Sequence, residues 1–510
     1  MQMPINTPEV QNIAETEVPV SSTPATGIPL CVDLDGTLVK SDTLVDSVLY
    51  LVRHRPAELL QIPGWLAQGK AAFKRRVTSA VTLNVETLPY NQPLLQYLRE
   101  QHAAGRPLYL ATAADTALAE RIADYLGIFQ GVLASDGATN LAGGNKLAAF
   151  QRAFGDDFSY IGNARPDAAI LTVCQSPMVA NPDRALLSRL RSAGVTPTQT
   201  FIDRASTLRG WIRAIRLHQW AKNTLIFVPL LLAHEWNVGS ITGAIIAFFS
   251  FGLCASSTYI VNDLLDIDAD RAHPSKRRRA FAGGDLSAIS GVVAVALLFA
   301  AAIALAIALP RIHDAIVPME PLPRPFQFLK WLLFYTVTTL SYSLYLKRKL
   351  LLDVFVLSGL YTVRILAGSA ATAVAISTWL GGFSVFFFLS LAFVKRFSEL
   401  YSLRERGGIA TTGRGYRVGD LEQLRALGTG AAYAAVVVMT LYISNPETHQ
   451  LYRHPIRLWL VVPTLLLWLS NVWMLTSRGE MHDDPVVYAI TDMRSLLLGV
   501  LMAGIIISAL

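Results

Sequence analysis

From residue 222 onward, long apolar runs alternate with short polar loops. Nine runs are counted, near 222–234, 240–262, 288–309, 328–346, 351–370, 377–395, 426–443, 457–475 and 494–510. A helix rises about 1.5 Å per residue, so a bilayer core asks for about 20 apolar residues. Several runs fall short of that length, but each predicts a helix without a polar face. The segment Trp211-Ile-Arg-Ala-Ile-Arg-Leu-His-Gln-Trp-Ala-Lys-Asn223 leads into them. Its mixture of aromatic, aliphatic and basic positions suits a membrane surface. Upstream the rhythm changes. Residues 28–33 and 107–112 are short continuous apolar runs that read as buried strands, and 43–88 is helical in pattern. Residues 1–27 are polar, rich in Pro and Thr, and lack the apolar stretch of a signal peptide, which predicts a disordered leader. The expected organisation is an α/β domain over 28–200 and an all-α polytopic membrane domain over 201–510.

Composition agrees. The 510 residues are 52% hydrophobic and 16% charged, against about 25% charged in soluble domains. The formal net charge of +7 gathers in short loops beside apolar runs, a pattern of topology and anionic lipid or phosphate contact and not of nucleic-acid binding. Loops after the second, fourth and sixth runs carry Arg271 with Lys276–Arg279, Lys347–Lys349, and the bases from Lys395 through Arg417. The alternate loops hold scattered bases such as Arg311, Arg324 and Arg453. By the positive-inside rule the first set faces the cytoplasm, and the N-terminal domain with it. The expected location is the plasma (inner) membrane. Cys31, Cys174 and Cys254 have neither metal nor disulfide spacing.

The densest chemistry lies in Asn262–Ser287, reading NDLLDIDADRAHPSKRRRAFAGGDLS. Asp263 and Asp266 are three apart, and Asp266 and Asp270 four apart, so on a helix they share one face that Asn262 joins. Stacked carboxylates repel unless a cation sits among them, and hard oxygen ligands beside Arg and Lys suit Mg2+ carrying a diphosphate. Pro274 interrupts the helix and leaves His273, Lys276, Arg277, Arg278 and Arg279 to line the mouth, with Arg271 a further candidate phosphate contact. The pattern NDxxDxxxDRxHPxKR over Asn262–Arg277 resembles the first signature of the UbiA superfamily of intramembrane prenyltransferases. The resemblance extends over about 213–510 and implies nine helices. It also implies a Mg2+-held diphosphate between this signature and a second one near the penultimate loop.

Asp484, Tyr488 and Asp492 repeat every four residues there and are expected to face one way on a helix. A YxxxD form with acids upstream looks like the superfamily branch that makes polyprenyl-phosphate phosphoribose, as do the stretches around Arg364 and Lys395. Arg364 lies inside an apolar run and needs an anionic partner, either a substrate phosphate or an internal acid such as Asp353.

In the N-terminal domain, Asp33-Leu-Asp35-Gly-Thr37 closes the first strand. Two carboxylates so placed can divide attack on phosphorus from proton handling, with Mg2+ screening both. The motif resembles the haloacid dehalogenase (HAD) superfamily of phosphatases, in which the fold is Rossmann-like and 43–88 would form a helical cap. The resemblance covers about 28–200. It implies phosphate contacts from Thr112, at the end of the second strand, and Lys146, and Mg2+ ligation by Asp33, Asn163 and Asp167. Asn163 departs from the usual aspartate and lowers the negative charge at the metal.

Together these readings predict a UbiA-type transferase fused to a HAD-like phosphatase. The donor is expected to be phosphoribosyl diphosphate and the acceptor a polyprenyl phosphate, with Mg2+ at Asp263, Asp266, Asp270, Asp484 and Asp492. The alternative is aromatic prenylation from a prenyl diphosphate, the HAD-like part being a non-catalytic binding module. A homo-oligomer is compatible with either.

Overall fold

The computed structural model describes residues 27–234, 236–318, 322–411, 414–481 and 484–510. The predicted leader, apart from Gly27, lies outside the described residues. Two compact units result, one of residues 27–47 with 57–204, the other of 48–56 with 205–510.

In the first unit, β1 (Leu30–Val32), β2 (Leu108–Asp115), β3 (Gly131–Ser135), β4 (Ser159–Gly162), β5 (Ser176–Ala180) and β6 (Gln199–Phe201) form one sheet. Its order is β3-β2-β1-β4-β5-β6, and every neighbouring pair is parallel. Cys31 stands opposite both Tyr109 and Tyr160. Leu30, Cys31 and Val32 are all fully buried, so β1 is covered on both faces, as a parallel sheet requires. Phe150, Phe158, Tyr160, Leu186 and Leu190 form the core against it. The chain runs outward from β1 to β3 and then returns to β4 on the other flank of β1. The carboxyl end of β1 is therefore a switch point, where neighbouring loops part and a ligand can enter. Residues 43–88 are helical, as the pattern predicts, and include Thr43–His54 and Lys70–Ala80.

Among the described residues of the second unit, six helices are long and apolar enough to cross a membrane: Val238–Leu265, Ala288–Ile316, Leu352–Thr372, Thr378–Glu405, Val418–Ser444 and Pro455–Ser477. The other three predicted runs take different forms. Residues 222–234 divide between the 3-10 segment Leu217–Phe227 and a short helix, Val228–Ala233, with Pro229 in its first turn. The last two are Gln327–Leu344, 18 residues, and Met493–Ala509, 17 residues. Helices approach closely where a side chain is missing. A Cβ on Gly243 would stand 2.2 Å from the Ala371 carbonyl oxygen, and one on Gly368 2.1 Å from that of Ile226. Small residues let backbones meet this way in lipid, where apolar burial between helices gains little. Outward-facing Leu297, Val292 and Val500 remain exposed, the surface that lipid would cover.

Candidate functional site

The first unit gathers its polar residues at the carboxyl ends of β1 and β4. Asp33 is buried, and its Oδ1 accepts from Lys146 Nζ at 2.7 Å while Oδ2 accepts from Thr37 Oγ1 at 3.2 Å. Lys146 Nζ also reaches the Tyr160 hydroxyl at 3.0 Å, and that hydroxyl donates to Asp167 Oδ1 at 2.8 Å. Asp167 Oδ2 accepts the backbone N–H groups of Asn163 and Ala164, each at 3.0 Å, which fixes the turn after β4. Asn163 lies against the Asp35-Gly36 turn. A Cβ on Gly36 would come within 2.1 Å of Asn163 Nδ2, and Gly36 has φ +77°, so only glycine fits. Thr112 departs from expectation. β2 runs on to Asp115, so Thr112 sits within the strand, buried, with its Oγ1 accepting from the Ala114 N–H at 3.0 Å.

Burial opposes the charge on Lys146, yet Asp33 and Asp167 hold its pKa above the ordinary lysine value. Burial, and then the neighbouring Asp42, pushes the Asp35 carboxyl up to about 7. The motif reading named Asp33, Asp35, Lys146, Asn163 and Asp167 but missed Tyr160, which links Lys146 to Asp167. Its only sequence signal was a hydroxyl in an otherwise apolar strand.

In the second unit, Asp263 ends the Val238–Leu265 helix and Asp270 lies in the short helix Ile267–Ala272. Both are buried, and both bind one nitrogen: Arg279 Nη1 stands 3.0 Å from Asp263 Oδ1 and 2.7 Å from Asp270 Oδ2. Arg216 Nη2 also reaches Asp263 Oδ1, at 2.5 Å, and its guanidinium lies over the Tyr259 ring. Asp266 takes a different course, standing 3.6 Å from Lys347 Nζ. The single helical face expected for Asp263, Asp266 and Asp270 is not formed: the helix breaks at Asp266 (φ −101°, ψ 13°), and Asp263 and Asp270, on successive helices, meet instead through Arg279. Asn262 is half-buried, and its carbonyl accepts from the Asp266 N–H. Arg271 is buried and ties Nε to the Ala282 carbonyl at 3.2 Å, whereas Lys276 and Arg277 are exposed.

The second acidic stretch corrects the sequence reading. Its helix runs only over Pro485–Thr491, and Asp492 has extended backbone (φ −79°, ψ 129°). Asp484 and Asp492 cap two successive helices, accepting from the N–H groups of Val486 and Ser495, so they do not share a helical face with Tyr488. Capping wins because both acids precede helix starts, one marked by Pro485. Asp484 instead turns toward cations. Its Oδ2 accepts from Lys222 Nζ at 2.7 Å and Lys395 Nζ at 2.8 Å, and Oδ1 from the Tyr361 hydroxyl at 3.4 Å. Burial would raise its pKa, but the Lys395 and Lys222 ammonium groups hold it far below the usual carboxylate range.

Arg364 adjoins this group through Tyr361, over whose ring both its guanidinium and Lys222 lie. It is buried and donates to Asn223 Oδ1 at 3.0 Å, Leu360 O at 2.6 Å and the Tyr335 hydroxyl at 3.0 Å. All three partners are neutral. The suggested pairing with Asp353 does not occur: Asp353 binds Arg396 Nε at 2.6 Å. Among the described residues, no three His, Cys, Asp or Glu side chains stand together as a cation cage. Motif reading missed Arg216, Lys222 and Asn223, whose signal was polar residues immediately before an apolar run.

The UbiA prenyltransferase family model matches residues 224–496. The chain belongs to the UbiA prenyltransferase family. The UbiA resemblance of the Asn262–Arg277 signature is borne out, and with six candidate spans the chain is an integral membrane protein. Among UbiA relatives, it is 36% identical over 486 residues to the Sinorhizobium fredii protein y4nM, covering 95% of this chain and 91% of that one. It is 34% identical over 289 residues to the nodulation protein NoeC of Azorhizobium caulinodans (56% of this chain, 88% of NoeC). It is 32% identical over 211 residues to the decaprenyl-phosphate phosphoribosyltransferase of Mycobacterium tuberculosis (40% of this chain, 65% of that protein).

Proposed function

We propose that the second unit transfers a 5-phosphoribosyl group from phosphoribosyl diphosphate to a polyprenyl phosphate. The observation that carries this is the cation surplus around Asp484. Lys222 and Lys395 share the single Asp484 carboxylate, and buried Arg364, over the same Tyr361 ring as Lys222, has only neutral partners among the described residues. A buried guanidinium in a membrane domain calls for an anion. A polar donor with phosphates at both ends meets that need better than a prenyl diphosphate, whose tail asks for apolar walls. The relatives named decaprenyl-phosphate phosphoribosyltransferase support the same choice.

In the reaction, the bond from ribosyl C1 to diphosphate breaks and the lipid phosphate oxygen forms the new bond to C1. Diphosphate leaves with the electron pair. Arg364, Lys222 and Lys395 would hold phosphate oxygens, with Lys276 and Arg277 at the exposed approach. Asp263 and Asp270 converge on one cationic nitrogen, so their oxygens suit a hard divalent cation at that place. Asp266, Asp484 and Asp492 are assigned to the metal through the family resemblance alone. Bound Mg2+ would supply charge neutralisation for the leaving diphosphate. The positive loops set this site and the N-terminal unit toward the cytoplasm.

The first unit, in the same proposal, is a HAD-type phosphomonoesterase that removes the 5-phosphate. Asp33 attacks phosphorus and Asp35 gives a proton to the departing ester oxygen; water then cleaves the aspartyl phosphate. Lys146, Asn163 and Asp167 complete the site, and the carboxylate oxygens there suit Mg2+.

Purified full-length protein in lipid nanodiscs, given Mg2+, labelled phosphoribosyl diphosphate and polyprenyl phosphate, should move label into the lipid fraction. No labelled lipid, together with product from a prenyl diphosphate and a phenol, would reverse the assignment to aromatic prenylation.

A further inference from the structure

Beside Asp35 lies a cavity of ≈ 180 Å³ within the first unit, lined by Asp42, Thr43, Lys74, Thr78 and Asp115 as well. Resting on the phosphatase reading, we propose that this cavity receives the sugar of a phosphosugar monoester, with Lys74 and Thr43 as its principal contacts.

Lys74 comes from the Lys70–Ala80 helix and reaches the end of β2. Its ammonium donates to Ala113 O at 2.6 Å and to Asn140 Oδ1 at 2.9 Å. An ammonium carries three donors, so one is left for a ligand in the cavity. Thr43 is 1% exposed, and its hydroxyl lies beside the Asp35 carboxylate. A hydroxyl donating there keeps its lone pairs for a ligand hydroxyl. Asp42 spends Oδ1 on the N–H groups of Leu44 and Val45, and Asp115 spends Oδ1 on that of Ala117. Each carboxylate retains acceptor capacity on its other oxygen.

The charge pattern narrows the ligand. A cationic group would meet Lys74, and a second anionic group would meet Asp42 and Asp115. Hydroxyls satisfy both, donating to the carboxylates and accepting from the ammonium. At ≈ 180 Å³ the cavity is of a size for a small polyol such as one sugar ring. Asp35 lines the same space, so the alcohol that leaves phosphorus is the part housed there.

The test uses purified full-length protein with Mg2+ and measures phosphate release from ribose 5-phosphate and from p-nitrophenyl phosphate. Lys74→Met should raise KM for ribose 5-phosphate by about tenfold or more, the loss of one charge-assisted hydrogen bond, and affect p-nitrophenyl phosphate several-fold less. Lys74→Arg should recover part of the sugar preference. Thr43→Val, nearly isosteric, should lower that preference on its own, which covers the case of a poorly folded Lys74 variant. Equal losses on both substrates, or none, would overturn the sugar site while leaving the phosphatase intact. Equal phosphate release by wild type and Asp33→Asn would remove the phosphatase reading itself, and this proposal with it.

Discussion

The two units bury charge with opposite surpluses. At the end of β1, Asp33 and Asp167 share the ammonium of Lys146, and the neighbouring Asp35 rises to about 7. Around Asp484, two ammonium groups share one carboxylate, which is held far below its usual range, and Arg364 lies nearby over the Tyr361 ring with only neutral partners among the described residues. Each surplus names the missing charge. An acid-rich site takes a cation, and a cation-rich site takes an anion, because an uncompensated buried charge is expensive. On the proposed reading, the difference separates a site suited to a cation from one suited to a polyanion.

The strongest way to break this comparison is to disable each site alone. Asp33→Asn should abolish phosphate release and leave transfer intact, so the lipid product stays phosphorylated. Asp263→Ala should abolish transfer and leave phosphate release from soluble monoesters intact. Chromatography of the labelled lipids reads both, and the same product mixture from wild type and Asp33→Asn would make the first unit a scaffold.

Next in size is Arg364→Met. Loss of a charge-assisted contact costs about 1.5–3 kcal/mol, or roughly 10- to 150-fold in donor affinity. Phosphoribosyl diphosphate titrations should show that loss, with little change in affinity for the lipid acceptor. An unchanged donor affinity would reassign Arg364 to holding Asn223 and Tyr335 in place.

A smaller effect is expected at Asn163, which touches the Asp35-Gly36 turn. Asn163→Asp adds a negative charge to an already acid-rich site, so half-saturation of phosphatase activity by Mg2+ should fall several-fold. A rise would show that the extra charge repels Asp33 and Asp35 more than it attracts the ion.

The smallest change tests the second acidic stretch. Asn caps a helix about as well as Asp, so Asp492→Asn should leave thermal stability within about 0.5 kcal/mol. Donor affinity then decides its role: a clear loss makes Asp492 a ligand, and no change makes it a cap only.

Much of the architecture was legible in the chain. Strand ends bearing Asp33 and Asn163 were visible because apolar runs stop abruptly at polar turns. The apolar runs were visible because lipid rewards uninterrupted hydrophobicity; the break at Asp266, which sets Asp263 and Asp270 on successive helices, was not. Asp492 was misread for the same local reason, since its spacing satisfied a helix and its capping power broke one. Thr112 was placed at a strand end because the alanines after it gave no sign that β2 continues.

What sequence order by itself determined is the set of short-range features: the UbiA signature, the predicted membrane runs and the parallel sheet's motif loops. Only the tertiary structure decided which charges meet. Lys222 and Asp484 lie 262 positions apart, and Arg364 and Asn223 lie 141 apart. No periodicity couples such positions. Helix packing through Gly243 and Gly368 brings the backbones close, and the cost of leaving a buried charge alone fixes each partner.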